Sequence, residues 1–213
     1  MRIAILLYDR LTALDAVGPY EVLRNAPDAE ILFVGKEKGE VRAGAGTLGL
    51  MVDRTFDEVP SADILVVPGG AGQVDAMKDE EILSWLRKID KTTTWTTSVC
   101  TGSLILAAAG LLDGRKATSH WLALDQLPAF GAEPTDRRVV FDDKYVTAGG
   151  VSAGIDMALA LTDKFAGDVA AQAIQLGLEY DPQPPYDAGT PTKAPAQLVS
   201  MMRENSKYFL TGT

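Results

Sequence analysis

The stretch Ser98-Val99-Cys100-Thr101-Gly102-Ser103 carries the one thiol of the chain. The thiolate is the nucleophilic form of cysteine, and it needs positive potential around it. Upstream, 92–99 is rich in β-branched and aromatic residues that suit a pleated strand. Downstream, Gly102-Ser103 opens an Ala- and Leu-rich run of good helix formers, closed by Gly110 or Gly114. Cys100 therefore falls on a strand-to-helix turn, the elbow on which many α/β enzymes carry a nucleophile. The free N–H groups and dipole of the helix start favour a thiolate there. Gly102 allows the close backbone approach that such a turn needs. The same spacing also fits a small buried hydrophobe between Val99 and Leu104.

Three further sets of residues could act with a thiol. Gly69-Gly70 closes the apolar run of ADILVVPGG, and its N–H groups either serve as an oxyanion hole or simply make the turn. Asp15, among Leu14, Ala16 and Val17, follows the first apolar run; pattern alone reads it as an exposed helix-start carboxylate favoured by the macrodipole. In an apolar pocket beside a thiolate it would instead resist ionisation and hold a proton for donation. His120 is the one histidine, and no Glu stands two residues after it, so a Cys–His–Glu triad of the usual spacing is absent. It reads as a helix-start or core residue that could still reach the site.

These groups must be held by an alternation of strands and helices. Residues 2–8 form a near-continuous apolar run, the pattern of a strand buried on both faces of a parallel sheet. Leu14, Val17, Val22 and Leu23 share one face of a helix reaching about Asn25, with a break or kink expected near Gly18-Pro19. Strands are expected at 30–35 and 62–67, with Gly-rich loops and short strands between them, and a helix over 79–89. After the elbow come a short strand at 116–118, a helix over 120–130 and short strands within 132–147, with Asp142-Asp143 as a turn. A long helical stretch, 152–178, is interrupted near Gly167, with Ser152 as N-cap. The Pro- and Gly-rich run 180–196 reads as an ordered surface strap before a last helix at about 195–209. GGVSAG at 149–154 matches a dinucleotide fingerprint poorly and reads as a helix start. The expected architecture is α/β, a mostly parallel sheet covered by helices on both faces, in a single domain over 1–213. Ligands of such sheets bind beyond the carboxyl ends of the strands, the edge shared by Asp15, Gly69-Gly70 and Cys100.

Composition narrows the function. With 29 acidic and 20 basic residues the chain carries a net charge of −9, which argues against nucleic acid and anionic membrane as partners. A lone cysteine excludes an intrachain disulfide framework and fits a reducing compartment. One His and one Cys also exclude the usual zinc sites built from those ligands. No run reaches the roughly 18 apolar residues of a spanning helix, so a cytoplasmic protein is expected.

The VVPGG strand end, the SVCTGSLILAAAGLLDGRKATSHW segment, VTAGGVSAGID and QLGLEYDPQPPYDAGTP together resemble the PfpI/ThiJ superfamily, of the class I glutamine amidotransferase-like type, and within it the isonitrile hydratases. The resemblance covers nearly the whole chain; VCTGS with LTALDAVGPYEVL is its specific part. It implies a flavodoxin-like sandwich, usually a homodimer, with Cys100 as nucleophile, Asp15 as acid/base carboxylate and Thr101 as the hydroxyl beside the nucleophile. It implies hydration of a small isonitrile to an N-substituted formamide through a Cys100 thioimidate, with no cofactor or metal. Gly70 and Gly69 would bind substrate or developing charge. Several relatives carry Glu on the first helix and His after the Cys, where this chain has Asp15 and Thr101, which weighs against a protease or glyoxalase. Regulators of similar sequence add a helix-turn-helix domain, for which this chain leaves no room. The alternatives are a glyoxalase- or deglycase-like enzyme acting on aldehydes through Cys100, and a non-enzymatic cysteine redox sensor.

Overall fold

Strand β1, Arg2–Leu6, is buried from Ile3 onward on both faces and forms the middle of the sheet. It is followed by helix α1 (Ala13–Leu23), β2 (Glu30–Gly35), a hairpin of β3 (Gly39–Ala43) and β4 (Leu48–Val52), and the short β5 (Arg54–Thr55). Then come β6 (Ile64–Val67), α2 (Gln73–Ala76), α3 (Glu80–Ile89), β7 (Trp95–Val99) and α4 (Gly102–Ala108). The remainder comprises β8 (Lys116–Ala117), a 3-10 helix (Leu124–Phe130), β9 (Glu133–Pro134), β10 (Val139–Asp142), β11 (Tyr145–Ala148), and helices α5 (Ala153–Ala166), α6 (Asp168–Gly177), α7 (Ala196–Glu204) and α8 (Ser206–Thr211). The structure, a computed structural model, describes residues 1–211; the last two positions of the expected domain, 212 and 213, lie outside the described residues.

The main sheet runs β10-β11-β7-β6-β1-β2-β5, parallel throughout except for β10 at one edge. β6 pairs with β1 on one side and β7 on the other, so the strand ends that carry Pro68-Gly69-Gly70 and Cys100 lie side by side. Helices α1 and α5 pack together on one face, and α3 and α4 on the other. This is the mostly parallel, doubly covered α/β sandwich that the alternation of apolar runs and helices anticipates.

Helix α3 shows how local sequence sets an element. The Asp79 carboxylate accepts from the N–H groups of Glu81 and Ile82, acids fill the first turn, and Arg87 and Lys88 fill the last. Its apolar face buries Ile82, Leu83, Trp85, Leu86 and Ile89.

Four expectations are corrected. Helix α1 runs without a break over Ala13–Leu23 although Pro19 lies inside it. The Pro19 ring lies against α5, where a Cβ built on Gly154 would stand 3.1 Å from Pro19 Cγ, so tertiary packing holds the helix together through the lost hydrogen bond. The segment 120–130 is a turn followed by a 3-10 helix rather than one helix, consistent with Pro128 near its end. Ser152 stands at the N-cap position of α5 but makes no capping bond; its hydroxyl accepts from Arg138 instead. The last helix is two helices, α7 and α8, parted at Asn205.

Candidate active site

Cys100 ends β7 with φ +57°, a left-handed conformation that a side-chain-bearing residue adopts only when its surroundings enforce it. The surroundings are specific. The Cys100 N–H donates to the carbonyls of Ala148 and Gly149, at 3.1 and 2.9 Å. Its own carbonyl accepts from the hydroxyls of Ser119 and Ser103, at 3.2 and 3.3 Å. Gly102 then turns into α4 against β6, where any Cβ would collide with the Val67 carbonyl oxygen. The expected elbow is present, and Gly102 has the close-approach role that the sequence suggests.

Asp15 departs from its expected exposure. It lies in the first turn of α1 and is 0% exposed. Its Oδ2 accepts from Gly69 N–H at 2.9 Å, while Oδ1 is buried without a hydrogen-bond partner among the described residues. Burial pushes the carboxyl up to about 7, against the Gly69 hydrogen bond and the Cys100 thiol, which both favour the carboxylate. The Cys100 thiol is likewise pushed up, first by burial and then by the Asp15 charge. The thiolate-favouring elbow expected from sequence is thus only part of the balance. The N–H groups of Val151 and Thr101 and the Thr101 hydroxyl pull the thiol down, yet desolvation outweighs them. Asp15 and Cys100 form one buried acid pair in which adding a second negative charge is costly.

Gly69 and Gly70 are not open donors. The Gly69 N–H holds Asp15, and the Gly70 N–H donates to Thr101 Oγ1 at 3.0 Å. The expected oxyanion pair is instead a clamp that fixes the acid and the hydroxyl. Thr101 Oγ1 is occupied as an acceptor, leaving its proton for the sulfur. Gly70 itself adopts φ +131° with its backbone pressed on Thr12 and Arg10, so a side chain there would be both strained and blocked.

Val151 and Tyr8 escape a reading by sequence, whereas His120 was left open by it. Val151 has φ +29°, an outlier for a β-branched residue, and presents its N–H to the Cys100 sulfur. The only trace of this in sequence is the Gly149-Gly150 pair that lets the chain fold back over Cys100. Tyr8 is buried after β1 and donates to the Pro68 carbonyl at 2.9 Å; burial and the Asp15 and Cys100 charges raise its pKa, so it stays neutral. His120 reaches the site: with Cys100, Thr101, Gly70, Ala71, Thr12 and Val151 it lines a cavity of about 120 Å³, closed by Met202 of α7 and Leu210 of α8. Burial lowers the His120 pKa, and its Nδ1 accepts from Leu122 N–H at 3.2 Å. The ring is thus neutral with its proton on Nε2, and its basic nitrogen is already engaged. Asp15 is buried behind the cavity wall rather than on it, in contact with the Cys100 thiol, and its carboxyl near 7 makes it the group suited to exchange protons there. Among the described residues no group of three or more His, Cys, Asp and Glu gathers as a metal would require.

Comparison with known proteins matches this arrangement to a single lineage. The chain is 44% identical over 206 residues to the isonitrile hydratase of Pseudomonas putida, covering 97% of this chain and 90% of that protein. It is 32% identical over 150 residues to the deglycase PfpI of Pyrococcus furiosus, covering 70% and 89%. A crystal structure of a ThiJ/PfpI family protein from Pseudomonas syringae superposes with a TM-score of 0.95 at 40% identity, over 98% of this chain and 87% of that one. The model of the DJ-1/PfpI family matches residues 1–164, which span the main sheet, the elbow and the Asp15 helix. The chain belongs to the DJ-1/PfpI family, whose model spans the sheet and helices that carry Cys100 and Asp15.

Proposed function

We propose that the protein hydrates isonitriles to N-substituted formamides, with Cys100 as nucleophile and Asp15 as the acid and base of both half-reactions. The observation that carries the chemistry is the buried Asp15–Cys100 pair, whose carboxyl is held up to about 7. The isonitrile comes from the similarity to the P. putida enzyme. The terminal isonitrile carbon accepts both a nucleophile and a proton. The Cys100 sulfur bonds to that carbon while the pair's proton passes from Asp15 to the same carbon, giving an S-bound thioimidate and an Asp15 carboxylate. Asp15 then takes a proton from water as the hydroxyl adds to the carbon, and returns it to the imine nitrogen. In the tetrahedral adduct the new hydroxyl gives its proton to Asp15 as the carbon–sulfur bond breaks. The formamide leaves, and the pair is restored with one proton. During the steps in which sulfur carries charge, the Val151 and Thr101 N–H groups and the Thr101 hydroxyl hold it.

The test is to mix para-nitrophenyl isocyanide with wild type and Asp15→Asn and to follow formamide by absorbance and mass. Asparagine keeps the shape but neither donates that proton nor activates water, and general acid–base catalysis contributes about 10²–10⁴-fold. A loss of at least that size is expected. Near-normal turnover by Asp15→Asn would remove its assigned role, and no formamide from wild type would remove the reaction. Lactate from methylglyoxal, in place of formamide, would move the assignment to the glyoxalase alternative.

Two finer assignments accompany this reading. We place the protein in the cytoplasm, consistent with a single buried thiol and with no helix among the described residues long and apolar enough to cross a membrane. We also assign it a homodimeric state, for reasons of exposed apolar surface given below.

A further inference from the structure

Helices α7 and α8 follow the strap and are peripheral to the sheet, yet each sends one apolar side chain to the nucleophile's cavity. Met202 of α7 and Leu210 of α8 are half-buried, and with Val151 and Ala71 they form the apolar part of the lining. The polar part, Thr12, Thr101 and His120, belongs to the segments after β1, β7 and β8. The reacting carbon must sit by Cys100 and Asp15, so the substituent on the isonitrile nitrogen faces the remaining wall. The cavity holds about 120 Å³. That is the space of about four waters, so a substituent of more than a few atoms meets the Met202 and Leu210 side chains. Trp121 and Arg203, the sequence neighbours of His120 and Met202, line a separate hollow of about 480 Å³ with Leu122, Leu124, Asp125 and Ser206. Arg203 lies over the Trp121 ring at 5.8 Å, a cation–π contact that ties α7 to the turn after β8.

We propose that Met202 and Leu210 are the specificity-determining residues of this site: they set how bulky a substituent on the isonitrile nitrogen the site accepts readily, and shortening either one enlarges it. The proposal rests on the isonitrile reading above. Methionine is unbranched and adaptable, so it closes the cavity without fixing one substituent shape. Loss of its Cγ, Sδ and Cε atoms enlarges the site without touching Cys100, Asp15 or the residues that clamp them.

The experiment compares Met202→Ala, Leu210→Ala and Met202→Phe with wild type, each checked for an unchanged melting temperature. Formamide formation from n-propyl and cyclohexyl isocyanide gives one selectivity ratio. Alkylation of Cys100 by iodoacetamide and by N-cyclohexyl-iodoacetamide, in which sulfur displaces iodide, gives a second ratio by intact mass. A change worth a methylene or more in an apolar pocket shifts selectivity by about tenfold or more. Both ratios should move toward the cyclohexyl compound by at least that factor in Met202→Ala and Leu210→Ala, and away from it in Met202→Phe. Ratios that stay within about twofold of wild type in all three variants would overturn the proposal. If wild type makes no formamide but the alkylation ratio moves as stated, the selecting wall stands and the hydratase reading falls. If formamide forms and neither ratio moves, the hydratase reading stands and the wall falls.

Discussion

At the scale of single residues, the Asp15–Cys100 pair governs the pH response. With the carboxyl at about 7, the pair holds two protons below that pH and one above it. Attack needs an anionic sulfur and a carboxyl proton together, a tautomer of the one-proton state reached when the thiol proton passes to the Asp15 carboxylate beside it. The second proton is held by burial and by the charge already present, so it leaves only far into the alkaline range. kcat/KM for an uncharged isonitrile should therefore rise with pH through about 7, by about tenfold per unit on the acid side, and then level off. A flat profile between pH 5 and 9, or a fall above pH 7, would contradict this state assignment. Cys100 and Gly102 were legible in sequence because a thiol between a β-branched run and an Ala-rich run has one local placement. Asp15 was legible as a carboxyl at the shared sheet edge, but its burial was not, because that arises from the Gly69 turn and other segments far away in sequence. Val151 was not legible, since a strained valine looks like any other residue at a helix start.

At the scale of elements, the elbow depends on β6 and β7 lying side by side so that the start of α4 presses on the Val67–Gly70 strand end. Gly102→Ala drives a Cβ into the Val67 carbonyl, and overpacking of this kind costs about 1–3 kcal/mol. A fall of several degrees in Tm, with loss of Cys100 alkylation at a rate matching the native protein, is expected from thermal melts and mass spectrometry. A variant with unchanged Tm and unchanged alkylation would show that the close approach is dispensable. The strands and the long helices were readable from periodicity, because each apolar run is buried on the side its spacing indicates. The continuity of α1 through Pro19 was not, because it depends on Gly154 of another helix. Nor was the arrival of Met202 and Leu210 at the nucleophile, since helix periodicity marks an apolar face without saying what it meets.

At the scale of the whole molecule, exposed apolar side chains are concentrated late in the chain. Val169 and Leu176 of α6 are 75% and 79% exposed, and Tyr186 of the strap is 78% exposed, with Leu198 and Met201 of α7 partly uncovered nearby in sequence. Large apolar side chains this exposed are candidates for an interaction surface, and the occupant proposed for it is a second copy of the chain. Light scattering should report twice the chain mass of 22.7 kDa, and Leu176→Asp should shift it toward the single-chain mass. A single-chain mass for wild type across micromolar concentrations would contradict the dimer. The reaction assigned to the molecule is tested most directly by rapid quenching during turnover of para-nitrophenyl isocyanide, followed by intact-mass analysis. The predicted result is a species heavier by one isonitrile, carried on Cys100 and absent from Cys100→Ala, which makes no formamide. Formamide at the wild-type rate from Cys100→Ala, with no adduct on the wild-type protein, would contradict it.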